Sequence, residues 1–145
     1  MSFKVRDLMA QGVVTARPDH TVDYVRRQMR TLEINAVPVA DPDGKPLGIV
    51  RSGDFLAPGL EGAARVDQVM NREVPTLEGN ATLRDAARLM IEKRAHHAIV
   101  TQDGKIAGML SSFNFLELFA NHRVEMIPDE PEFKTGIYQV GDHNT

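Results

Sequence analysis

The side chains best placed to do chemistry fall in two short stretches. Arg51 precedes Asp54 by one helical turn, and Ser111 precedes Asn114 in the same way. A guanidinium can hold phosphate through two parallel hydrogen bonds, while a hydroxyl, amide or carboxylate oxygen can accept from a ligand's hydroxyls. Each residue also has a plainer use, since Asp and Asn are favoured helix N-caps and Arg51 can be a surface cation or half of an ion pair. The two uses can coexist at one residue. Other candidates fail on mechanism. His96 and His97 are adjacent, so their side chains diverge, and no third ligand stands at metal-binding spacing. Gly59-Leu60-Glu61-Gly62 lacks the Gly-Lys-Ser/Thr that lets a glycine loop cradle phosphate, and reads as linker. The chain has no Cys, which removes thiolate catalysis and Cys-ligated metals. With no serine elbow, zinc-protease helix or paired general acid and base, the expectation is a non-enzyme without catalytic residues or metal.

The elements that must position these side chains occur twice. Val5-Arg6-Asp7-Leu8-Met9 returns as Val66-Asp67-Gln68-Val69-Met70, and the same offset carries Thr15 to Thr76, Thr21 to Thr82, Met29 to Met90 and Val39 to Val100. One residue is then lost, after which Gly44-Lys45 matches Gly104-Lys105, Gly48 matches Gly108 and Phe55-Leu56 matches Phe115-Leu116. Register kept through a single deletion at a turn signifies two copies of one structural unit. In each copy a brief extended segment (Val13-Val14-Thr15, Val74-Pro75-Thr76) leads to an amphipathic helix capped by Thr21 or Thr82. Two apolar strands joined by an Asp-Gly hairpin follow, then another helix. That last helix breaks early at Pro58-Gly59 in the first copy and runs longer from Asn114 in the second. The four repeated methionines are read as packing residues. The division is residues 1–60, 61–122 and an irregular tail, 123–145. Pro128, Pro131 and Gly136 interrupt the tail, and Ile137-Tyr138-Gln139-Val140 is an added strand, a grip on a partner or part of a frayed terminus.

Composition narrows the class. The chain has 145 residues, 42% hydrophobic and 26% charged, which suits one core shared by both copies rather than two marginal ones. Its net charge of −3 argues against general binding to nucleic acid or anionic membranes. No apolar run is long enough to cross a bilayer and Met1-Ser2-Phe3-Lys4 opens no signal peptide, so the expectation is a cytoplasmic protein.

The ordered set of a helix, Val37-Pro38-Val39, an Asp-Gly hairpin and Gly48-Ile49-Val50-Arg51-Ser52-Gly53-Asp54 resembles the cystathionine-β-synthase (CBS) domain. Ala98-Ile99-Val100 with Gly108-Met109-Leu110-Ser111-Ser112-Phe113-Asn114 carries the resemblance a second time. It implies an α/β fold of two β-α-β-β-α repeats packed about a pseudo-twofold axis, a Bateman module, with equivalent ligand clefts between the copies. It further implies a homodimer of modules.

In that family the hydroxyl of the motif lies near phosphate and the final carboxylate near ribose. The first copy keeps Asp54 but has Arg51 in place of the hydroxyl; the second keeps Ser111 but has Asn114 in place of Asp. The adenine is expected among Val14, Thr15, Ala36, Val37 and Pro38, or among Pro75, Thr76, His97, Ala98 and Ile99, recognised largely through backbone. The implied function is regulatory: an adenine nucleotide (AMP, ADP or ATP) or related adenosyl compound binds, no cofactor is required, and occupancy is passed to a regulated protein. The rivals are a structural dimerisation adaptor with no ligand and, further off, an enzyme of unrecognised chemistry.

Overall fold

The computed structural model of the chain describes residues 3–122. The third segment of the division and the strand expected over Ile137-Tyr138-Gln139-Val140 lie outside the described residues.

A short helix α1 (Val5–Leu8) opens the chain, followed by α2 (Val22–Leu32), β1 (Ala36–Ala40), β2 (Pro46–Arg51) and a 3-10 turn at Ser52–Leu56. The second copy gives a 3-10 turn at Val66–Gln68, β3 (Thr76–Glu78), α3 (Leu83–Lys93), β4 (His97–Gln102), β5 (Lys105–Ser111) and α4 (Ser112–Asn121). The first helices begin as their sequence dictates. Thr21 Oγ1 accepts from Tyr24 N at 3.1 Å, and Thr82 Oγ1 accepts from Asp85 N at 3.0 Å. Each satisfies a backbone donor that the first turn leaves without a partner. Both helices end on a left-handed residue, Glu33 (φ 55°) and Arg94 (φ 52°), where glycine is the usual choice.

β1 pairs antiparallel with β2, and β4 with β5, each pair carrying a bulge at the equivalent place, Val39/Ala40 and Val100/Thr101. The lost residue falls in the hairpin. Asp103 (φ 53°) and Gly104 (φ 80°) make a tight turn with both central residues at positive φ, whereas Asp41 to Lys45 form a wider loop in which Asp41 Oδ1 accepts from Asp43 N and Lys45 N. β3 pairs parallel with β4, and its counterpart in the first copy is a single bridge between Ala16 and Val39. The expected early break after Asp54 is also present: a 3-10 turn of 5 residues stands where the second copy has a helix of 10. Pro58 disfavours helical geometry in the residue before it.

The repeats exchange their opening segments. Val66 and Met70 belong to the core of α2, β1 and β2, together with Val25, Met29, Val37 and Val50. Val5 belongs to the core of α3, β4 and β5, with Ala86, Met90, Ala98 and Leu110. Reciprocal backbone bonds hold the exchange: Ala10 and Met109 bond each other in both directions at 2.9 and 3.1 Å, and Asn71 and Ile49 do so at 2.8 and 2.9 Å. Such close approach needs glycine on the strand. A Cβ on Gly48 would lie 2.7 Å from the Asn71 carbonyl oxygen and 3.1 Å from Met70 Sδ; one on Gly108 would lie 2.7 Å from the Ala10 oxygen and 2.6 Å from Met9 Sδ. The repeated methionines therefore do pack, each of these two across the other copy's strand. Gly48→Ala or Gly108→Ala should destabilise the protein by about 1–3 kcal/mol, as overpacking does, read as a lowered midpoint in urea unfolding. An unchanged midpoint would mean that these segments do not hold the repeats together.

Candidate functional site

Alternation along the strands decides which side chains can meet a ligand. Val37 and Val39 in β1 and Val50 in β2 face α2, so period two turns Ala36, Pro38, Ile49 and Arg51 to the opposite face. In the second copy Ala98, Val100 and Leu110 face α3, leaving His97, Ile99, Met109 and Ser111 opposite. Those two opposite faces meet. Pro38, Ile49 and Ile99 are fully buried there, while the paired strand ends Ala36–Arg51 and His97–Ser111 stand at the margins. A cleft opens at each margin.

The larger cleft has a volume of about 580 Å³ and combines Arg51 from β2 with Pro75, Thr76 and His97 of the second copy. Asn71, Glu73, Lys93, Arg94 and His96 complete its polar wall. The smaller, about 400 Å³, combines Ser111 and Asn114 with Ala36 of the first copy, and adds Ala10, Glu33, Asn35 and Met109. Asn71, Arg94, His96 and Ile49 in one cleft are the repeat equivalents of Ala10, Glu33, Asn35 and Met109 in the other, so the two are pseudosymmetric mates. Each takes a strand end from one copy and the end of the first helix from the other. The motif residues are thus grouped crosswise: Arg51 stands with Pro75, Thr76 and His97, and Ser111 with Ala36.

Not every expected residue reaches a cleft. Val14 and Thr15 are exposed on the segment before α2 and line neither one. Val37 and Ala98 are core side chains. Pro38 and Ile99 are buried between the strand pairs with backbone already committed, since Pro38 O accepts from Ala16 N and Ile99 N donates to Pro75 O. Asp54 and Asn114 are not the N-caps, which are Arg51 and Ser111; each sits at the third helical position and its side chain reaches back to accept from Arg51 N or Ser111 N, both at 2.8 Å. Asn114 also lines the smaller cleft, while Asp54 is not among the residues lining the larger one. The Asp54 carboxylate lies 3.8 Å from Arg51 Nε. Sequence reasoning missed Lys93, Arg94 and Glu33. The signal was available, because helix-terminal residues immediately precede strands that the motif had already placed at the site.

His97 is the one residue common to both walls. Its Nδ1 is buried without a hydrogen-bond partner among the described residues. Burial first, then the Arg51 guanidinium, then His96 hold its imidazole below the ordinary histidine pKa. Among the described residues no group of three potential ligands could hold a metal ion, and no helix is long and apolar enough to cross a membrane.

A fold of two such repeats with paired clefts between them defines a CBS-domain pair. The chain belongs to the CBS domain family, whose model matches residues 5–58 and 66–121. It is 32% identical over 111 residues to the inosine-5'-monophosphate dehydrogenase of Halobacterium salinarum, a match that covers 74% of this chain but 22% of that enzyme. Among solved structures it is similar to the CBS domain pair of protein MJ0100 in complex with 5-methylthioadenosine and S-adenosyl-L-methionine, with a TM-score of 0.75, 21% identity and coverage of 83% and 98% of the two chains. It is likewise similar to CBSX2 in complex with AMP, with a TM-score of 0.73, 23% identity and coverage of 81% and 96%.

The lowered His97 pKa has a consequence for stability. The folded protein favours the neutral ring, whereas the unfolded chain takes up the proton as pH falls through the ordinary value of 6.5. The contribution is therefore present above that pH and is lost below it. The melting temperature should fall between pH 7.5 and pH 5, and less steeply for His97→Gln; identical slopes would show that His97 is not held neutral.

Proposed function

We propose that this protein is a regulatory module that binds an adenine nucleotide (AMP, ADP or ATP) or related adenosyl compound between its repeats and reports occupancy to a regulated protein, acting in the cytoplasm. The observation that carries this reading is the pair of equivalent clefts, each walled by both copies and each within the size range of small-molecule sites. A ligand seated there touches the strand end of one repeat and the helix end of the other. Binding can then shift the packing of the repeats, provided the ligand prefers one arrangement. The adenosyl ligands carried by the CBS pairs of similar fold support the choice of ligand class. Ser111, with its neighbouring helix end, and Arg51 suit the polar parts of such a molecule. Ala36 and Pro75 offer apolar contact for its base.

The outward helical faces, one on each copy, support a homodimer. Leu56 is 82% exposed and Ile91 76%, and Phe113, Leu116 and Phe119 on α4 are also exposed. On the first copy a cleft of about 500 Å³ runs between α2 and the Ser52–Leu56 turn, lined by Met29, Ile34, Phe55 and Leu56. That much unpartnered apolar surface suits a second copy of the module. It also favours the rival reading, a dimerisation adaptor whose clefts stay empty.

Thermal denaturation separates the two readings. A ligand that binds only the folded state stabilises it by about 2.7 kcal/mol at a hundredfold excess over Kd, so millimolar AMP, ATP or S-adenosylmethionine should raise the melting temperature of a dimeric protein. A stable dimer with no shift for any adenosyl compound would leave the adaptor. Light scattering that gives only monomer at all concentrations would remove the dimer.

A further inference from the structure

We propose that the two clefts sort their ligands by charge: the larger takes a nucleotide bearing a di- or triphosphate, and the smaller takes an adenosyl compound without phosphate. This inference rests on the ligand reading above and adds which ligand goes where. Pseudosymmetry makes the comparison position by position. Where the larger cleft has Arg51 and Arg94, the smaller has Ser111 and Glu33; where the larger has His96, the smaller has Asn35.

Lys93 adds a third cation to the larger wall, against the single carboxylate of Glu73. Three cations less one carboxylate leaves a net charge of +2, or +1 if Asp54, 3.8 Å from Arg51, is counted as well. The smaller wall has no Lys or Arg, and its formal charge is that of Glu33 alone. The C-terminal ends of α2 and α3 sharpen the contrast. Glu33 and Arg94 each cap the C-terminus of a helix, where the backbone dipole is negative, so Glu33 adds to that field and Arg94 with Lys93 opposes it. A polyphosphate entering the smaller cleft meets a carboxylate and a helix C-terminus, with the N-terminus of α4 but no cationic side chain to offset them. In the larger it meets three cationic side chains, one of them a guanidinium at the end of β2 that can bind bidentately. The volumes agree, the larger cleft having room for the longer ligand.

The pseudosymmetry also supplies a test that disturbs the backbone little, because Glu and Arg already occupy the same left-handed position in the two copies. Calorimetry on the full chain should find one ATP per chain, with affinity falling as salt rises, alongside binding of adenosine or 5-methylthioadenosine. Arg94→Glu should weaken ATP at least tenfold and leave adenosine within about twofold. Glu33→Arg should raise ATP stoichiometry from one to two. Lys93→Gln, on an exposed helix end, should weaken ATP selectively if Arg94→Glu fails to fold. Two equal ATP sites in the unaltered protein, or ATP affinity indifferent to Arg94→Glu and Lys93→Gln, would overturn charge sorting while adenosine binding kept the ligand reading intact. If the folded protein binds neither adenosine nor ATP, both proposals fall together.

Discussion

The structure depends on a reciprocal exchange. The segment that opens each repeat leaves its own copy and completes the core of the other, Val5 lying with Ala86 and Met90, Val66 with Val25 and Met29. Neither copy then has a finished core alone. Two glycines permit it, Gly48 and Gly108, over which Met70 and Met9 cross where an added Cβ would crowd them, while the adjoining backbones bond in both directions. These contacts also build the site. Asn71 and Ile49, bonded to each other, lie on the wall of the larger cleft, and Ala10 and Met109, their equivalents, on the wall of the smaller. A shift of one repeat against the other must therefore deform both clefts. Conversely, a ligand that fills a cleft acts on the contact that joins the repeats.

Duplication supplied two like sites, and substitution has made them unlike. Symmetry survives where packing demands it: the threonine caps, the left-handed helix ends, the strand bulges and the methionine–glycine crossings all recur. It is broken where side chains face solvent-filled space. Arg51 against Ser111, Arg94 against Glu33 and His97 against Ala36 change charge or polarity without altering the backbone that carries them. His97 occupies a special place in this pattern because it belongs to both walls. Its buried Nδ1 lacks a hydrogen-bond partner among the described residues, a cost to folding that a ligand group bonded to it would offset.

Much of this was legible in the residues. The repeat, the Thr21 and Thr82 caps, the hairpins, the early end of the helix after Asp54 and the long α4 follow from local rules of capping, alternation and turn chemistry. The CBS family was legible as well, because an ordered set of weak elements occurring twice is specific. The crosswise grouping of the motif was not. Strand alternation shows that Arg51 and Ala36 share a face, but only the packing of one strand pair on the other tells which helix end lies opposite. Val14, Thr15, Pro38 and Ile99 illustrate the same limit from the other side: the resemblance put each at the site, and the fold either buries it or leaves it outside the walls. Lys93 and Arg94 look like an ordinary basic helix end until β2 of the other copy is brought against them.

Native mass spectrometry of the intact protein, titrated with ATP and with adenosine, tests the central claim most directly. The account predicts discrete masses for adenosyl ligands held between the repeats, at no more than two per chain. A folded protein that keeps its unliganded mass at millimolar concentrations of both compounds would contradict it.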